Sequence, residues 1–181
     1  MALKATIFKA ELQVSDMDRG YYHDHLLTIA CHPSETEERM MVRLLAFALH
    51  ADEALVFGNR LNTDDEPDLW QKDLTGGIQV WIDIGQPDEK RIRKACGRSG
   101  QVYVYTYSGH SADVWWKQSA GGIEGLKNLT VINLPGKTGQ ELAALAKKTM
   151  KLQCSIQDGQ LWLTGEDKTV QADLKIIKKS A

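Results

Sequence analysis

A chain of 181 residues, 43% apolar and 25% charged, has the length and balance of one folded domain with a sizeable core. Its formal net charge of −2 gives no global attraction to nucleic acid or anionic lipid, so any polyanion site must be local. Cys31, Cys96 and Cys154 lie far apart without CxxC or Cys/His ligand spacing, which speaks against a disulfide framework or a zinc site and for a reducing cytoplasm. The N-terminal MALKATIFKAELQV mixes charges into its apolar positions, and no run reaches the length a membrane helix needs. The expectation is a protein that is neither exported nor membrane-bound.

In chain order, residues 5–14 place Phe8, Ala10, Leu12 and Val14 on one parity and Lys9, Glu11 and Gln13 on the other, the period of a half-buried strand. SDMDRG turns the chain into a second strand over residues 21–31, which stops at His32-Pro33. Ser34 followed by Glu37 has capping-box spacing and predicts a helix start. Met40, Met41, Leu44, Phe47 and Ala48 then recur at steps of three and four as an apolar stripe. A short strand at residues 54–58 and the acidic loop NTDDEPD lead to EPDLWQKDLTGGIQVWIDIG, residues 66–85, read as a hairpin turning at Gly76-Gly77. Parity puts Ile78, Val80, Ile82 and Ile84 on one face, expected inward, and Gln79, Trp81 and Asp83 on the other. Pro87 opens a basic helix, QVYVYTY makes a strand, and further elements are expected as a helix at 111–119, a strand at 129–134 and a helix at 140–150. A hairpin turning at Asp158-Gly159 and a last strand alternating Val170, Ala172, Leu174 and Ile176 complete the chain. From Ser34 the order is α-β-β-β-α-β, a mixed sheet with packed helices in the α/β or α+β class.

Charge is distributed unevenly. Residues 60–90 hold eight acids and three bases, whereas residues 91–98 hold Arg91, Arg93, Lys94 and Arg98 with no acid. Two carboxylates on neighbouring strands suffice for Mg²⁺ or Mn²⁺ when a phosphate supplies further ligands, and a nearby lysine can stabilise the charge that develops. The other reading is the solvated edge of a hairpin balanced by a basic helix, and composition alone favours it. PGKTGQ ends like a phosphate loop but has Val131 where that pattern needs glycine, and His23-x-His25 lacks a third ligand. Trp115, Trp116, Tyr103, Tyr105 and Tyr107 could stack bases, but on half-buried elements they read as packing.

The segments MALKATIFKAEL, HPSETEERMMVRLLAFA, EPDLW, WIDIGQPDEKRIRKA and IQDG resemble the YaeQ family of small bacterial proteins, and the likeness covers essentially the whole chain. This resemblance implies a single domain over residues 1–181, a variant of the PD-(D/E)xK nuclease-like fold with extra N- and C-terminal strands. In that superfamily an aspartate from one strand and an acid from the next bind the metal, while a lysine two residues after the second acid assists. Carried over, Asp68 and Asp83 are the metal ligands, and Gly85 stands where the lysine belongs. The amine is then expected from the following helix, with Lys94 best placed and Lys90 and Lys72 behind it. Glu37 is a further expected metal ligand, set against its capping role. The implied function is Mg²⁺- or Mn²⁺-dependent phosphodiester hydrolysis of nucleic acid. Its alternative is a catalytically silent protein that binds nucleic acid or a protein partner.

Overall fold

The computed structural model describes residues 4–181, so the first three residues of MALKATIFKAEL lie outside it. The elements run β1 (Thr6–Asp16), β2 (Tyr21–Cys31), α1 (Glu37–Leu49), β3 (Leu55–Phe57), β4 (Leu69–Lys72), β5 (Ile78–Ile84) and α2 (Glu89–Arg98). They continue with β6 (Ser99–Thr106), α3 (His110–Ile123), β7 (Leu129–Asn133), α4 (Gly136–Ala143), β8 (Thr149–Gln157), β9 (Gln160–Thr164), β10 (Thr169–Ala172) and β11 (Lys175–Lys178). The order α-β-β-β-α-β read from the sequence is the order from α1 to β6. The described residues form two compact units, one holding the chain up to Ala51 with Lys137–Leu174, the other Asp52–Gly136 with Lys175–Ala181. Each has its own mixed sheet, so the class is α/β with two sheets and, among the described residues, four helices.

The first unit has strand order β10-β9-β8-β1-β2, with β1 parallel to β8 and antiparallel to β2. Alternation on β1 works as expected: Phe8, Ala10, Leu12 and Val14 are buried and Lys9, Glu11 and Gln13 exposed. Met150, Leu152, Cys154 and Ile156 repeat the pattern on β8. Residues Met40 to Ala48 of α1 are all buried, more than a stripe, and the Phe47 ring meets His25 edge-on at 5.1 Å. The helix is capped by Thr36, whose side chain accepts from Arg39 N–H, rather than by Ser34, whose hydroxyl bonds the His32 ring at 2.7 Å. The expected helix at 140–150 starts and ends earlier, at Gly136 and Ala143, and Thr149 already belongs to β8, where parallel pairing to β1 overrides helix propensity.

The second unit has order β11-β7-β6-β5-β4-β3, with β5, β6 and β7 parallel at its centre. Parallel neighbours need crossovers, and α2 and α3 supply them. Trp81, Val102, Val104, Leu129 and Val131 from the strands form one apolar cluster with Ile92, Ala95, Trp115 and Ile123 from these helices. The inward-isoleucine expectation therefore needs correction: Ile82 and Ile84 are buried, but so are Trp81 and Asp83 on the opposite face, because a central strand is covered on both sides. The expected last strand is two strands, β10 in the first unit's sheet and β11 in the second's, since Leu174 and Lys175 mark the passage between units.

Candidate functional site

Asp68 immediately precedes β4 and Asp83 lies near the end of β5. The register sets Leu69 opposite Ile82 and Trp70 opposite Trp81; one step further it sets Asp68 opposite Asp83. Both are buried, at 3% and 1% exposure. Buried carboxylates are costly without countercharge and hydrogen bonds, and two arginines supply both. Arg91, in the first turn of α2, donates from Nε to Asp83 Oδ2 at 2.7 Å and from Nη2 to Oδ1 at 3.1 Å. Its remaining donors reach the carbonyls of Asp64 at 2.8 Å and Glu66 at 2.9 Å, tying the acidic loop to the sheet. Burial works against this guanidinium's charge, but the hydrogen bond to Asp83 and the charges of Asp83, Asp68 and Asp64 outweigh it and hold its pKa above the ordinary value.

Arg60, on the loop between β3 and β4, is the second cation. It donates from Nη1 to the Ile84 carbonyl at 2.8 Å and stands 3.5 Å from Asp68 Oδ2, with its Nε 3.8 Å from Asp83 Oδ1. Asp68 Oδ2 also accepts Ile84 N–H at 2.8 Å. Sequence reasoning missed Arg60 and read Arg91 only as part of the basic helix. The available signal was physical: two acids on buried neighbouring strands require countercharge, and Arg91 follows Asp83 by only eight residues.

Position 85 adopts φ +105°, a conformation that favours glycine, so the backbone itself disfavours a lysine there. The Lys94 amine pairs with exposed Asp65 at 3.2 Å, on the acidic loop rather than on the strand carboxylates. Lys72 lies over the Trp70 ring at 3.8 Å from the centroid, and Lys90 is exposed. Glu37 is exposed in the first turn of α1, in the first unit. Thus Asp68 and Asp83 are brought together, while Lys94 is engaged elsewhere. Among the other singled-out residues, Trp115 is buried and donates to the Pro87 carbonyl at 2.8 Å, His25 pairs with the Tyr21 hydroxyl at 2.8 Å, and Gly136 to Gln140 of PGKTGQ form the start of α4.

Residues 1–174 match the model of the family described as YaeQ protein. The chain belongs to the YaeQ family. It is 45% identical to the YaeQ protein of Escherichia coli K12 and 44% identical to that of Salmonella typhi, over 174 residues and 96% of each chain in both cases. Among solved structures, that of the YaeQ protein from Xanthomonas axonopodis pv. citri superposes with TM-score 0.93 at 49% identity, covering 96% of this chain and 98% of that one. The YaeQ protein from Pseudomonas syringae gives TM-score 0.93 at 36% identity, covering 97% of each chain. The two-unit architecture described above is therefore that of a YaeQ-family fold.

Proposed function

We propose that this YaeQ-family chain keeps a nuclease-like core of the PD-(D/E)xK type and acts by binding a protein partner, not by hydrolysing nucleic acid. One observation carries the reading: both Asp83 oxygens accept from Arg91, at 2.7 and 3.1 Å, where a working site of that type needs them for a metal. Asp68 and Asp83 are hard donors of the kind Mg²⁺ or Mn²⁺ takes. They already serve two guanidinium groups and a backbone N–H, and among the described residues no group of three or more His, Cys, Asp or Glu gathers to hold a metal. The set does not fit a resident divalent cation. The amine role is also unfilled, since Lys94 is paired with Asp65.

A protein partner is favoured over nucleic acid because the basic helix is neutralised from within. Arg91 pairs with Asp83, Arg93 with Glu89 and Lys94 with Asp65. Of the five cations of α2 this leaves Lys90 and Arg98, a small charge with which to release counterions from a phosphate backbone.

The test is an incubation of the purified protein with plasmid DNA and single-stranded RNA at millimolar Mn²⁺, with a mobility-shift titration at two salt concentrations. No cleavage and no salt-dependent shift are expected. Metal-dependent cleavage that disappears in Asp68→Asn would restore the hydrolase reading, and tight, salt-sensitive retention without cleavage would move the partner to nucleic acid.

A further inference from the structure

Among the described residues the two sheets end in four edge strands, β10 and β2 in one unit and β11 and β3 in the other. An edge strand offers a row of backbone donors and acceptors to any other chain, and folded proteins blunt such edges by keeping them short, charged or irregular. Three of the four are blunted in this way. β3 has three residues, β10 has four, and β11 has four with Lys175 and Lys178 at its ends and a register shift within. β2 is built differently. It runs for eleven residues, YYHDHLLTIAC, pairs with β1 without a register shift, and holds no proline, lysine or arginine, with Asp24 as its single acid. It also exposes large apolar side chains, Leu26 at 84% and Tyr22 at 58%.

Strand parity puts Tyr22, Asp24, Leu26, Thr28 and Ala30 on one face, and all five are exposed. We infer that β2 pairs antiparallel with β2 of a second copy of this chain, joining two five-stranded sheets across a two-fold axis. The strand selects this occupant because it is complementary to itself. Two-fold symmetry makes every contact reciprocal, and the pairing that uses all eleven residues is centred on the sixth, Leu26. Leu26 then meets its own copy, Asp24 meets Thr28, whose hydroxyl can donate to the carboxylate, and Tyr22 meets Ala30, large against small. On the other face His25 meets Leu27 and His23 meets Ile29. No two acids stand opposite each other. Centring the pair on Asp24 instead would set two carboxylates together and shorten the paired run. The Ala30 carbonyl already accepts from Arg43 at 3.0 Å, so the middle of the strand carries the pairing and the outermost rungs add least.

Sedimentation velocity over a concentration series tests the pairing in the whole chain, and disulfide trapping reads its register. Wild type should show a reversible monomer–dimer equilibrium, and Leu26→Lys should weaken the dimer at least about tenfold, because two like charges would then face each other at its centre. Leu26→Cys should form an intermolecular disulfide on mild oxidation, since opposite residues lie about 4.5–5.5 Å apart between Cα atoms, within disulfide reach. Thr28→Cys, displaced from its own copy by four positions or roughly 14 Å, should stay at the wild-type background set by Cys31, Cys96 and Cys154. Both positions are exposed, so the variants should keep the wild-type urea midpoint. A wild type that stays monomeric at its highest soluble concentration overturns the inference. So does a dimer that Leu26→Lys leaves unchanged, or equal trapping at positions 26 and 28. Failure here leaves the binding-protein reading intact, because wild-type cleavage and retention decide that reading and oligomeric state decides this one.

Discussion

Each unit contains a buried acid held by two arginines, and the two clusters differ in tightness. In the first unit, Glu35 accepts from Arg43 Nε at 2.9 Å and Nη2 at 2.6 Å, and from Arg39 Nη1 at 2.5 Å. Arg43 also donates to the Ala30 carbonyl at 3.0 Å, so the cluster fastens the turn after β2 to α1. The contacts named here have hydrogen-bond length, and the Glu35 side chain is 0% exposed. In the second unit, one arginine is bidentate and the other stands at 3.5 to 3.8 Å from two acids. The lesson is that a buried ion pair by itself does not mark a functional site. A single acid in the first unit is clasped by two arginines at hydrogen-bond length, whereas two acids on adjacent strands of the second share one bidentate arginine and one longer-range countercharge.

That contrast can be broken by mutation. Glu35→Gln removes the buried charge that Arg43 and Arg39 share, and it should cost about 3–5 kcal/mol in urea denaturation. A loss under 1 kcal/mol would show that the first cluster is no clamp. Asp83→Asn takes the anion from Arg91, which keeps its loop carbonyls and some exposure, while Arg60 keeps Asp68, so the expected cost is smaller, about 2 kcal/mol in the same experiment. If Asp83→Asn instead leaves stability unchanged or raised, the carboxylate is strained in the resting state, as in a site awaiting a cation, and the structural account of Arg91 fails.

Acid sharpens the comparison further. His50, at the end of α1 in the first unit, has its pKa lowered to about 3, by burial first and by the charge of Arg19 second, against the opposing charge of Asp16. A histidine neutral when folded and near 6.5 when unfolded takes up its proton mainly on unfolding. Its contribution is therefore complete above the unfolded value and is lost as pH falls from there toward the folded one. Between pH 7.5 and 5.5 the loss should be about 1 kcal/mol, read as the difference in unfolding free energy between wild type and His50→Gln over that range. Parallel curves for the two proteins would mean that His50 titrates normally.

Much of the fold was legible because periodicity is a local property. The alternation of β1, the apolar run of α1 and the positive-φ pair Asp158 and Gly159 between β8 and β9 follow from neighbouring residues alone. The Asp68–Asp83 juxtaposition was half legible: both fall within the hairpin read at residues 66–85, but only the realised register put them opposite each other. Less was readable where one stretch serves two neighbours. The alternation from Val170 to Ile176 looks continuous in sequence, yet β10 pairs with β9 and β11 with β7, and nothing local marks the change of sheet.

By itself the sequence determined the element types, the α-β-β-β-α-β order, the family, and the presence of two acids and a glycine at the positions that matter. The tertiary structure decided what those acids face. A side chain's partner depends on where a loop and a helix return to the sheet, and Arg60 and Arg91 reach the same pair from opposite directions along the chain. The Arg60 loop comes before β4, and α2 comes after β5. Charge counting predicted that the acids would be balanced. Only packing could select two arginines over a lysine and a metal, because burial makes the geometry of each countercharge count for more than its number.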